Sequence, residues 1–211
     1  YRIYGGTSFY QRKEIRDTLA YFRLAVNPKD NEALLRALTF PSRGIGDTTM
    51  KKVTLCAIEN NQSYLEVMRH PDDYPLEMSG PMKKKISAFA AMIDEMAVQS
   101  EEMDAFRFAE MLLRQTGLTT ALMMDRTTEG IDRAQNVQEL LNAIREFVTQ
   151  RANEGIDYTP ITDFLSEVSL MTDQDDNQAD TTNRVTLMTV HAAKGLEFPV
   201  VYIVGLEENL F

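Results

Sequence analysis

Two stretches of this chain bring together residue types that could do chemistry. The first is residues 191–199, HAAKGLEFP, flanked by the apolar runs VTLMTV at 185–190 and VVYIVG at 200–205. His191 directly follows an apolar run, and open α/β sheets bind ligands beyond the carboxyl ends of their strands. Lys194 beside Gly195 supplies a cation next to flexible backbone, which suits a phosphate, and Glu197 could accept hydrogen bonds from a sugar hydroxyl. The plain alternative is a loop whose histidine caps a strand and whose lysine and glutamate are solvated; spacing alone does not choose between them. The second stretch is residues 43–49, RGIGDTT. A Gly-x-Gly turn opening a helix presents backbone N–H groups to an anion, and Arg43, Lys51 and Lys52 add positive charge. Helix–hairpin–helix modules hold a DNA backbone in this way without reading bases. The alternative is an ordinary helix–helix turn that needs glycine for its dihedral angles, and these residues alone favour it, because short glycine motifs are weak.

Other chemistries lack their residues. No G-x-x-x-x-G-K-[ST] phosphate loop occurs, and no Cys/His set has zinc spacing, so no metal site is expected. Only His70 and His191 are available for a histidine-based triad, and His70, just before Pro71, reads as a helix-end residue. The single cysteine, Cys56, lies in a helical stretch and reads as a small core hydrophobe. A disulfide framework is excluded, and a reduced, cytoplasmic setting is expected.

The elements that must position these stretches follow from periodicity. YRIY at 1–4 alternates like a short strand, and Gly5-Gly6 turns it. Ser8 and Gln11 have capping-box spacing, predicting a helix from near Phe9 with Ile15, Leu19, Phe22 and Val26 on one face. Further helices are predicted from Asp30 to about Thr39, from an Asp47 or Thr48 cap to about Asn60, and from Ser63 to about His70. Pro81 suits a first helical position, and Met82, Ile86, Phe89, Ile93 and Met96 form a stripe beyond it. Asp104 opens a helix closed at Gly117; Val137, Leu140, Ile144 and Phe147 mark a long one before Gly155; Ile161, Phe164, Leu165 and Val168 mark the last. Residues 172–184, TDQDDNQADTTNR, read as an exposed acidic linker.

The expected fold is therefore mostly α with a small parallel β part. Lone strands at 1–4, 185–190 and 200–204 cannot bury their faces unaided, so they are expected to pair in one sheet with the helical block inserted between them. The chain has 211 residues, 44% of them hydrophobic, enough for a packed core. No run approaches the roughly 18 apolar residues of a membrane span. The net charge of −10 argues against indiscriminate nucleic-acid binding by the whole surface, though not against a local basic patch.

Three segments together carry a family resemblance. MTVHAAKGLEFPVVYIVGLEENLF resembles motif V of superfamily 1 DNA helicases of the UvrD/PcrA/Rep group. YRIYGGTSFYQRKEIRDTLAYFRLAVNPKD resembles the part of their second RecA-like domain, 2A, that precedes the 2B insertion, and PSRGIGDTT resembles the duplex-binding Gly-Ile-Gly element of 2B. The resemblance implies a partial RecA-like 2A domain from 1–26 and 185–211, a helical 2B-like subdomain containing a helix–hairpin–helix at 27–171, and the acidic linker at 172–184.

The implied parent is an ATP-dependent motor that moves 3′ to 5′ on single-stranded DNA and separates the duplex, using ATP and Mg²⁺. In that reading Glu197 bonds the nucleotide ribose. His191, with Thr189, touches single-stranded DNA, and Lys194 lies in the same motif. Gly5, Gly6 and Ser8 lie near the strand's phosphates, while Arg43, Gly44, Ile45, Gly46, Thr48 and Lys51 meet duplex phosphates. The resemblance places the segment after the phosphate loop, metal-binding carboxylates and motif IV arginine, and before motif VI. No catalytic residue and no bound cofactor are therefore expected, and the partners are DNA and the remainder of the motor. The competing readings are a duplex-DNA clamp acting alone, a regulatory protein-interaction element, and part of a helicase–nuclease.

Overall fold

The computed structural model describes residues 2–4, 9–177, 185–188, 190, 193–195 and 197–204. Contacts divide the chain into two compact units, one of Tyr1–Ser8 with Gln178–Phe211 and one of Phe9–Asn177.

In the helical unit a single 3-10 turn, Phe9–Gln11, leads into α1, Lys13–Val26. The helix proper thus begins four residues after the expected start, and Ser8 lies outside the described residues. Helix α1 is buried over most of its surface: Ile15, Leu19, Tyr21, Phe22 and Leu24 are buried, and so are Glu14 and Asp17, while Lys13, Arg16, Arg23 and Val26 form a narrow exposed stripe. A helix buried over most of its circumference belongs near the centre of a bundle, and α1 packs against α2 (Asn31–Thr39), α5 (Gly80–Glu102), α6 (Ala105–Gln115), α8 (Thr128–Asn153) and α9 (Ile161–Asn177). Its buried carboxylates are partnered, as burial demands. Asp17 meets Lys13 at 3.0 Å and Arg36 at 2.9 Å, and Glu14 accepts from the Asn136 amide at 2.5 Å. The sequence expectation grouped residues up to 26 with the strands; by contacts α1 lies with the helices, packing its buried face against five of them.

The helix starts are largely set by polar caps. Asp30 accepts from the Ala33 N–H, Ser63 from Glu66, Asp104 from Phe106 and Arg107, and Thr127 from Gly130. Between them run α3 (Asp47–Glu59), α4 (Tyr64–Arg69) and α7 (Leu118–Met124), the last a short helix that periodicity did not predict. The stripe on α5 is buried as expected at Ile86, Phe89, Ile93 and Met96. Helix α9 continues through Asn177, six residues into the expected linker; nothing from 161 to 177 is glycine or proline, so no breaker stops it.

In the other unit, β1 (Arg2–Tyr4) and β2 (Thr186–Met188) pair in parallel, Arg2 opposite Thr186 and Tyr4 opposite Met188. The helical unit is thus inserted, in sequence, between two adjacent strands. The third expected strand is corrected: residues 200–204 form no strand and all five are exposed. Apolar β-formers need a neighbouring strand to satisfy their backbone, and none pairs with them among the described residues. No helix of the described residues is long and apolar enough to cross a membrane.

Candidate nucleic-acid interface

Residues 40–46, FPSRGIG, connect α2 to α3. Gly44 has φ of 66°, in the left-handed region that a side chain resists, and a Cβ there would lie 3.0 Å from Lys85 Nζ. Ile45 is buried in the core while Gly44 and Gly46 are exposed, so one apolar anchor holds a turn whose glycines face solvent. Helix α3 then begins at Asp47, with Gly46 in extended backbone at the cap position and no side chain capping it. This replaces the expected cap by Asp47 or Thr48: both fall inside the first turn, and both side chains are exposed. The first N–H groups of a helix lack the i−4 carbonyl that pairs later ones. Those of Thr49 and Met50 reach back to the Gly46 carbonyl at 3.0 and 3.1 Å, which leaves Asp47 and Thr48 facing outward at the positive end of the helix dipole.

Arg43 does not join that outward face. Its Nη2 donates to the Tyr21 hydroxyl at 2.9 Å and to the Thr116 carbonyl at 3.1 Å, and its Nε lies 3.3 Å from the same hydroxyl. The guanidinium also stacks over the rings of Tyr21 and Phe89, 5.6 and 5.3 Å from their centroids. Tyr21 in turn donates to the Ala37 carbonyl at 2.6 Å. Burial pushes the Tyr21 hydroxyl pKa up, and Arg43 partly offsets this.

The cations beside the turn are lysines. Lys51, one turn into α3, and Lys85 are exposed and have no ion-pair partner among the described residues. Lys52 is engaged by the Glu77 carbonyl, and Lys83 pairs with Asp72 at 2.8 Å. Open N–H groups with ammonium groups beside them can hold phosphate oxygens without selecting a base.

The other sequence-predicted cluster, residues 191–199, lies in the strand-containing unit. Residues 193–195 turn, with Gly195 at φ 82° and no atom of the described residues within 4 Å of where a Cβ would stand, and Lys194 and Glu197 are exposed. Thr189, His191, Gly5, Gly6 and Ser8 lie outside the described residues. Among the described residues no group of three or more His, Cys, Asp or Glu side chains is placed to hold a metal ion.

A family model described as the UvrD-like helicase C-terminal domain matches residues 1–211. The chain belongs to that family. Among curated relatives, the ATP-dependent DNA helicases PcrA of Staphylococcus epidermidis and Staphylococcus aureus are each 34% identical to it over 211 residues, which is all of this chain and 28% of theirs. The chain thus spans 28% of the length of these relatives. Within this UvrD-like C-terminal domain, sequence reasoning missed three residues around the turn: Tyr21, Thr116 and Lys85. Tyr21 lies off the Ile15–Leu19–Phe22 stripe, and Thr116 and Lys85 are far from Arg43 in sequence, so no spacing pattern links them.

Proposed function

We propose that this chain is the helical 2B-like subdomain, with flanking parts of the 2A RecA-like domain, of an ATP-dependent DNA helicase that tracks 3′ to 5′. In this reading α2, the Gly44–Gly46 turn and α3 form the helix–hairpin–helix that meets duplex phosphates ahead of the motor. The observation that carries it is the solvent-facing glycine turn at the uncapped start of α3, with the Lys85 ammonium beside it. The family match and the names of the PcrA relatives support the same assignment. The insertion of the helices between β1 and β2 fits a lobe carried on a motor sheet.

The loop after β2 is the proposed coupling element. The exposed Glu197 carboxylate suits a ribose hydroxyl as acceptor, and Lys194 offers a cation close by in sequence. ATP would supply the driving phosphoryl transfer in the parent enzyme, with Mg²⁺ held by residues elsewhere. The part of this chain is to hold the sugar at Glu197 and the single strand near His191 and Thr189, with Gly5, Gly6 and Ser8 on the same strand's phosphates. DNA and the rest of the motor are its partners.

The test is binding of a tailed duplex oligonucleotide by the purified chain across a salt series. Each phosphate contact contributes a slope of about −0.9 in log K against log salt, so a turn gripping a few phosphates gives weak binding that collapses with salt. Gly46→Val, which puts a branched side chain across the exposed turn, is expected to weaken duplex binding. Wild-type binding that ignores salt, or a Gly46→Val chain that binds as well as wild type, would count against the turn as the contact.

A further inference from the structure

We infer that two basic groups beside the Gly44–Gly46 turn have different roles: Arg43 is a positioning residue that sets the turn from inside, and Lys85 is the cation that meets the DNA phosphate. This inference rests on the duplex-binding reading of the turn. In sequence, Arg43 is the obvious phosphate ligand, since it adjoins the glycines and arginine forks suit phosphate. The structure turns it the other way. Two of its nitrogens converge on the Tyr21 hydroxyl, one also reaches the Thr116 carbonyl, and its face lies on Phe89. These partners sit on α1, at the end of α6 and on α5, so one side chain fixes the turn to three helices at once. The Tyr21 hydroxyl, already donating to the Ala37 carbonyl on α2, is the hub. Releasing Arg43 toward a phosphate would strip the Thr116 carbonyl and that hydroxyl of their donor. Lys85 has the opposite character. It is exposed, without an ion-pair partner among the described residues, and its Nζ stands 3.0 Å from where a Gly44 Cβ would be.

Three variants separate these roles. Arg43→Lys keeps the charge but loses the planar fork, and Tyr21→Phe removes the hub while leaving every charge in place. Both are expected to speed amide hydrogen exchange across residues 43–50 by about tenfold, the scale of one lost hydrogen bond, and to weaken duplex binding. Lys85→Gln is expected to leave that exchange unchanged while making the salt slope shallower by about 0.9, one phosphate contact. Arg43→Lys and Tyr21→Phe chains that exchange like wild type would overturn the role given to Arg43. A Lys85→Gln chain with an unchanged slope would overturn the role given to Lys85. A wild-type chain without salt-dependent duplex binding would overturn the duplex reading and Lys85's role with it, while the exchange measurement, made without DNA, still decides Arg43.

Discussion

At the scale of single residues, glycines in this chain are required for different reasons, and only some are visible in sequence. Gly44, Gly117 and Gly155 adopt positive φ, and each stands where a turn was expected from the residue type. Gly130 is different. It lies in the first turn of α8 with ordinary helical geometry, yet a Cβ there would fall 2.4 Å from both the carbonyl oxygen and Cγ of Asp125. Asp125 cannot retreat freely, because its carboxylate accepts from the Thr127 hydroxyl at 2.7 Å and the Thr127 N–H at 3.1 Å, bonds that also hold its pKa below the usual carboxylate range. Gly130→Ala, favourable by helix propensity, is therefore expected to destabilise the helical unit by about 1–3 kcal/mol, the usual cost of overpacking. Thermal unfolding followed by circular dichroism checks this; a variant as stable as wild type would show that the Asp125 loop yields. Arg43 teaches the same lesson about the candidate site. The glycines and the apolar Ile45 anchor could be read from residue type, whereas the inward path of the guanidinium depends on Tyr21 and Thr116, which only the fold brings near.

At the scale of elements, helix starts were legible at Asp30, Ser63 and Asp104, where a cap residue preceded an apolar stripe, but not at Thr127, which caps α8, and the Ser8–Gln11 spacing placed α1 four residues early. They were not legible where geometry dispensed with a cap. Helix α3 begins at Asp47 after a glycine at the cap position, with no side chain capping its first N–H groups, the feature that gives the turn its proposed use. Helix α7, seven residues long, has two buried side chains and too short a pattern to register as periodic. The capped starts give a quantitative expectation. Asp104 accepts from two N–H groups, each at 3.0 Å, and heads α6, whose Phe108 is buried 6.1 Å from the Phe22 ring. Asp104→Ala should cost about 1 kcal/mol, whereas Asp104→Asn, which keeps an acceptor oxygen, should cost less. Chemical denaturation midpoints order the two; equal losses would mean that charge near the helix end, not the hydrogen bond, carries the effect.

At the scale of the whole molecule, the apolar run at 200–204 behaves differently from the helical stripes because its burial needs partners outside itself. A helix satisfies its own backbone and buries one face against its neighbours, so α5 and α8 were predictable from spacing. A strand borrows its hydrogen bonds, and the run VVYIV is exposed here with no strand beside it among the described residues. The same dependence on partners governs catalysis. Phosphoryl transfer requires a phosphate cradle, a metal site and charge-stabilising arginines acting together. The 211 residues contain no G-x-x-x-x-G-K-[ST] loop, and the nucleotide contact proposed for them is a ribose acceptor, Glu197, which touches neither the transferred phosphate nor the attacking water. We therefore expect the purified chain to release no phosphate from ATP with Mg²⁺, with or without single-stranded DNA. The decisive control is Glu197→Ala. Any trace of turnover from a contaminating ATPase will be the same in both preparations, whereas turnover that disappears in the variant would belong to this chain and would require a phosphate site that the proposed reading does not contain.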